Sequence, residues 1–245
     1  MLRGITRSIG LVATTFLLLC IPAWTCPANE EKPNIVVIFI DDMGCADPSC
    51  FGNPMSKTPN IDRLARAGIK LTNFYVTSPI CSPSRVAITT GQYHGRWGIH
   101  SYLNSRAANK ARGMKNYLDA SAPTTAKKLK TVGYATGHFG KWHLGTLTKE
   151  TLDANRGGKK ENDIHFSIPS QHGYDEFFCS EAKVPTYDPM LIPTSFEEGE
   201  SKKSGWNSIE PDEKSEAYGT AYWIGSEKSD TTNLKGDDSR IIMDR

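Results

Sequence analysis

Three short stretches concentrate residue types that do chemistry. In Cys81-Ser82-Pro83-Ser84-Arg85-Val86-Ala87-Ile88-Thr89-Thr90-Gly91 a cysteine stands directly ahead of a helix-compatible run. Backbone N–H groups at a helix start favour an anion there, a thiolate included. Arg85, one turn on, can point back and clamp an oxyanion with its planar fork. Asp41-Asp42 sets two carboxylates side by side, the donor type that a hard cation takes. Gly140-Lys141-Trp142-His143-Leu144-Gly145 offers a fixed cation and an ionisable ring two residues apart, between glycines. Each has a plain alternative: the acidic pair could close a turn, the cysteine could be half of a disulfide, and Lys141 and His143 could lie on a solvated surface.

These groups need elements to bring them together. Ile35-Val36-Val37-Ile38-Phe39-Ile40 is a continuous apolar, β-branched run, which predicts a strand covered on both faces and ending at Asp41-Asp42. Open α/β sheets place ligand sites at such strand ends. Thr58 to Gly68 predicts a helix with a capping threonine, Pro59 at its first position and a terminating glycine, followed by a second strand over residues 69–76. Thr124 to Val132 predicts an amphipathic helix stopped by Gly133, and residues 134–139 a strand that feeds the Gly-Lys-Trp-His segment. From about Thr146 the texture is polar and loop-rich, until a short helix capped by Asp237-Asp238-Ser239 closes the chain. The alternation of strands and helices argues for an α/β sandwich with a mainly parallel sheet.

With those segments in view, Cys-x-Pro-Ser-Arg followed by Thr-Gly resembles the signature of the sulfatase family, in the alkaline-phosphatase-like superfamily. Asp41-Asp42, Gly-Lys-Trp-His-Leu-Gly and Gly173-Tyr174-Asp175-Glu176-Phe177-Phe178 resemble further family segments in the same order, over about residues 33–178. The resemblance implies that Cys81 is converted to formylglycine by a maturation enzyme. It also implies that Asp41, Asp42 and the modified residue 81 ligate calcium, and that Arg85, Lys141 and His143 are catalytic. The expected activity is hydrolysis of aryl or carbohydrate sulfate esters. One hydroxyl of the hydrated aldehyde attacks sulfur; later deprotonation of the other expels sulfate, with His143 placed to assist. A sulfate ester is a stable anion, so neutralising its non-bridging oxygens is the main electrostatic task. A phosphonate or phosphate ester hydrolase of the same fold, and an inactive fragment, are the competing expectations.

The 245 residues have 38% apolar and 23% charged content, which excludes a disordered or fibrous chain. The net charge of +2 comes from Arg3 and Arg7. Without residues 1–28 the charges balance, leaving no whole-molecule field for nucleic acid. Residues 1–28 follow the order of a secretory signal peptide, two arginines and then an apolar run too short and interrupted to span a bilayer. Export to the periplasm or outside the cell is expected, with membrane contact only through that signal. In that compartment Cys45, Cys50, Cys81 and Cys179 could pair in three ways. His94, His100 and His138 are expected to be structural or solvated, and Tyr93, Trp97 and Tyr102 to be packing residues.

The family's later metal-completing Asp-Asn or Asp-His pair and its second histidine beside proline have no counterpart here: none of these dipeptides occurs. Residues 29–245 are therefore expected to be the N-terminal part of a catalytic domain. Calcium takes six to eight oxygens, so weak or no activity is expected from this stretch alone.

Overall fold

The structure is a computed structural model that describes residues 32–150, 165–182, 184–185, 190–195, 209, 212–230 and 237–244. The predicted signal segment lies outside these residues. The chain divides into two units, 1–43 and 44–245. In the first, residues 32–40 carry no strand pairing, and a turn follows at Asp41-Asp42 with Asp42 at φ 57°. Ile35, Val36, Val37 and Ile38 are exposed. The strand expected here is thus not formed. A run apolar on both faces is stable as a strand only when neighbours pair with it and layers cover it, and no described strand pairs with it. Residues 69–76 differ in the same way, with Ile69, Leu71, Phe74 and Tyr75 exposed.

In the second unit the helices are α1 (Pro59–Ala67), α2 (Cys81–Thr90), α3 (Arg106–Ala111), α4 (Thr125–Lys130) and α5 (Asp238–Met243). A four-stranded sheet runs in the order β1 (Gly137–Phe139), β2 (Glu176–Ser180), β5 (Tyr222–Ile224), β6 (Glu227–Lys228). β1 and β2 are parallel and the other two pairings antiparallel, with Phe178 opposite Ile224. β3 (Leu191–Pro193) and β4 (Ser215–Ala217) form a separate antiparallel pair.

Side-chain alternation along β2 and β5 builds two cores. Phe177, Cys179 and Trp223 join Val86 of α2, Ile99, Leu103, Leu118, Trp142 and Leu144 on one face. Phe178 and Tyr222 join Met190 and Ile241 of α5 on the other, with the two rings stacked 4.7 Å apart. This is the period-two rule for a sheet covered on both sides.

Local rules explain the elements that formed as expected. The Thr124 hydroxyl accepts from Lys127 N–H and starts α4, and Asp237 accepts from Ser239 N–H and starts α5. Thr58 precedes α1 but does not cap it. Its hydroxyl donates to Asp62 within a network that also ties Asp62 to the Ser49 hydroxyl and Cys50 N–H.

Candidate active site

Cys81 is the first residue of α2, after Ile80 in extended conformation. Pro83 has no N–H, and Ser84 N–H already bonds Ile80. That leaves Cys81 and Ser82 as the backbone donors the helix does not use itself. Lys141 Nζ lies 3.2 Å from Cys81 Sγ. Arg85, buried one turn along α2, donates from its guanidinium to the Lys141 carbonyl. Residues 60 positions apart in sequence therefore converge, Cys81 on Lys141 Nζ and Arg85 on the Lys141 carbonyl.

The sheet sets this convergence. Beyond β1 the chain continues along β2, with Gly140, Trp142 and His143 N–H bonding the carbonyls of Phe178, Ser180 and Glu181 at 2.8–2.9 Å. Trp142 then points inward and donates through Nε1 to the Ser167 carbonyl at 2.6 Å. Its ring is almost fully buried against His138, Tyr174 and His172. With Trp142 anchored, the flanking Lys141 is held beside the start of α2. Gly145 passes so close to Ser167 that an added Cβ would stand 2.4 Å from the serine Cβ.

His143 takes a left-handed backbone at φ 52° and is buried. Its Nε2 lies 2.9 Å from the Leu103 carbonyl. A carbonyl only accepts, so Nε2 carries the proton and Nδ1 is the basic nitrogen of the neutral ring. The same peptide segment donates Leu103 N–H to the Ser82 hydroxyl at 3.0 Å. Leu103 thus joins His143 to the residue after Cys81.

Asp41 and Asp42 belong to the first unit and are exposed. They are hard oxygen donors of the right type for calcium, but two carboxylates fall short of its six to eight oxygens. Among the described residues no cluster of three or more His, Cys, Asp or Glu could hold a metal ion. The donor set is incomplete, and no step below depends on it.

His138, expected to be structural or solvated, packs beside the Lys141 segment. Its half-buried ring sits in T-shaped contact with Trp142 at 5.0 Å and Tyr174 at 5.3 Å. Its Nε2 is buried without a partner. Burial, with the nearby Arg85 charge adding to it, pushes its pKa down to about 4, against backbone hydrogen bonds at Lys141 and Gly140 that act the other way. His94 is structural as expected, with Nδ1 3.0 Å from the Ile99 carbonyl, and His100 Nε2 donates to the Arg112 carbonyl. Cys45, Cys50, Cys81 and Cys179 are all free.

The Gly-Tyr-Asp-Glu-Phe-Phe stretch supports the site from below. Gly173 sits at φ 96° where an added Cβ would meet Lys127 N at 2.6 Å, so only glycine fits against α4. Asp175 accepts from Lys130 and from Thr136 N–H and hydroxyl, which fixes the turn between α4 and β1.

The family described as Sulfatase matches residues 33–203. Human Arylsulfatase D is 37% identical over 187 residues, covering 71% of this chain and 30% of that protein. An N-acetylgalactosamine-6-O-sulfatase of Bacteroides thetaiotaomicron is 42% identical over 127 residues, 52% of this chain and 24% of that one. Among solved structures, Ps i-CgsB is similar with a TM-score of 0.58 and 27% identity, covering 86% of this chain and 39% of its own. The chain thus spans about 30% of the length of Arylsulfatase D, and its α/β architecture is that of the sulfatases' alkaline-phosphatase-like fold. On a match that takes in most of the chain and includes Cys81, Arg85, Lys141 and His143, the protein belongs to the Sulfatase family.

Proposed function

We propose that the protein hydrolyses sulfate esters, aryl or carbohydrate, at residue 81 after its conversion to formylglycine. The observation that carries this reading is the meeting of Cys81 with Lys141 at 3.2 Å while Arg85 is joined to the Lys141 carbonyl. Two fixed cations beside the start of α2 suit the non-bridging oxygens of a bound sulfate, and backbone N–H groups there add donors. The hydrated aldehyde supplies a hydroxyl nucleophile when present. Lys141 and Arg85 orient the ester so that its sulfur faces residue 81. His143, its Nε2–H fixed on Leu103, moves protons through Nδ1. Asp41 and Asp42 would supply two of the oxygens that calcium takes, and a bound calcium would supply positive charge. Carbohydrate sulfate is supported by the name of the Bacteroides relative, aryl sulfate by that of the human one. Export through residues 1–28 and a maturation enzyme acting on Cys81 belong to the same reading.

The test has two readouts. Mass spectrometry of the peptide containing Cys81, from protein made in its native host, is expected to show the aldehyde; an intact thiol refutes the proposed nucleophile. Turnover of an aryl sulfate is expected to exceed that of the matching aryl phosphonate, and the reverse order would favour the phosphonate reading.

A further inference from the structure

Asn109 stands on α3, in the arm that leaves Leu103 and returns to Leu118, and is fully buried. A polar side chain keeps such a place only when its bonds are met inside the protein. Its Oδ1 accepts from Asn104 N–H at 2.9 Å, and its Nδ2 donates to the Asn104 carbonyl at 2.9 Å and to Asn116 Oδ1 at 3.0 Å. An amide cut off from water cannot exchange these partners for solvent, so it fixes the backbone that it touches.

That backbone is the one His143 uses. The peptide between Leu103 and Asn104 carries two bonds: its carbonyl lies 2.9 Å from His143 Nε2, which donates to it, and its N–H donates to Asn109. A trans peptide is planar, with C=O and N–H directed oppositely, so His143 and Asn109 grip the two sides of one rigid plate. Donation to Asn109 also polarises the carbonyl and strengthens it as an acceptor. The preceding peptide is held at both sides too, Leu103 N–H by the Ser82 hydroxyl at 3.0 Å and the Tyr102 carbonyl by Arg112 at 3.0 Å. Of Ser82, Arg112 and Asn109, it is Asn109 that shares a peptide plane with the imidazole.

Resting on the sulfatase reading above, we propose that Asn109 is a positioning residue for His143: by orienting the 103–104 peptide it sets the direction of the imidazole and keeps the Nε2 proton in place, so that Nδ1 faces the reaction. It acts through that one peptide and makes no contact with the ester.

The experiment uses the full chain and reads the His143 Nε2–H proton by NMR together with turnover of an aryl sulfate. Asn109→Leu keeps the size of the side chain and removes all three bonds, whereas Asn109→Asp keeps an oxygen for Asn104 N–H and loses the two donations. Asn109→Leu should make the Nε2–H proton exchange with solvent about tenfold faster and lower kcat about tenfold with KM within about twofold, because misdirecting a proton-transfer group falls on the chemical step. Asn109→Asp should leave both near their native values while lowering stability, as a buried carboxylate does. Asn116→Ala, which removes one partner of the amide away from the 103–104 peptide, should also leave both unchanged. A merely structural Asn109 would give losses that follow stability, with Asp at least as harmful as Leu; that result, or an unchanged Nε2–H proton in Asn109→Leu, overturns the proposal. Where both variants at position 109 fail to fold, the native chain decides by hydrogen exchange: one opening should release Asn104 N–H and His143 Nε2–H together, with protection factors within about threefold, and a wider gap overturns the coupling. The proton is read without turnover, so failure of the sulfatase reading shows separately, as absent aryl sulfate hydrolysis alongside an intact effect of Asn109→Leu on Nε2–H.

Discussion

Lowering the pH from 7 to 5 should destabilise the fold through His172, by an amount that can be worked out. His172 is fully buried beside Trp142, and its Nε2 lies 2.8 Å from the Ser167 hydroxyl. That hydroxyl donates onward to the Leu118 carbonyl, so Nε2 must be the donor to serine. A second proton would go to Nδ1, which is buried without a partner. Burial, reinforced by the Lys127 charge and opposed by Asp119, holds the pKa down at about 4, against 6.5 for the free side chain. The folded state therefore binds fewer protons than the unfolded one between those values. Stability from this group is complete above pH 6.5, falls as pH drops towards 4, and is level below that. From pH 7 to 5 the loss is about 2 kcal/mol, from 1.36 kcal/mol per unit. Urea denaturation at the two pH values measures it, with His172→Gln as the comparison; the variant should lose about 2 kcal/mol less than the native chain. Equal losses, or a folded-state His172 that titrates near 6.5 by NMR, would refute the argument.

Trp142→Ala should cost about 4 kcal/mol of stability by denaturant titration, from the cavity and the lost donor to Ser167. Gly173→Ala should cost roughly 1–3 kcal/mol in the same assay, because left-handed backbone and a 2.6 Å approach to Lys127 N coincide there. Lys141→Met should lower kcat/KM for an aryl sulfate by about a hundredfold or more with the fold intact by circular dichroism. Asp41→Ala/Asp42→Ala should lower calcium affinity measured by calorimetry.

What could be read from sequence was what short-range rules decide. Thr124 and Asp237 announce helix starts because a capping side chain acts within three residues. The Cys81, Arg85 and Lys141 set was legible because each lies in a stretch whose residue types have little other use together. Strands were harder. Ile35 to Ile40 has the pattern of a central strand, but a strand exists only with partners, and its pattern names none. The meeting of Leu103 with both Ser82 and His143 depends on contacts across 21 and 40 positions that no local periodicity encodes.

The single peptide segment at Leu103 works as a strut with both ends pinned, one to the residue after Cys81 and one to the His143 imidazole. An insertion or deletion between Gly98 and Leu103 would shift both ends at once and misregister Ser82 and His143 together. Length changes after Gly113 leave the strut alone. Length is therefore free to vary on the outer arm, while the stretch from Gly98 to Leu103 is held to a fixed count.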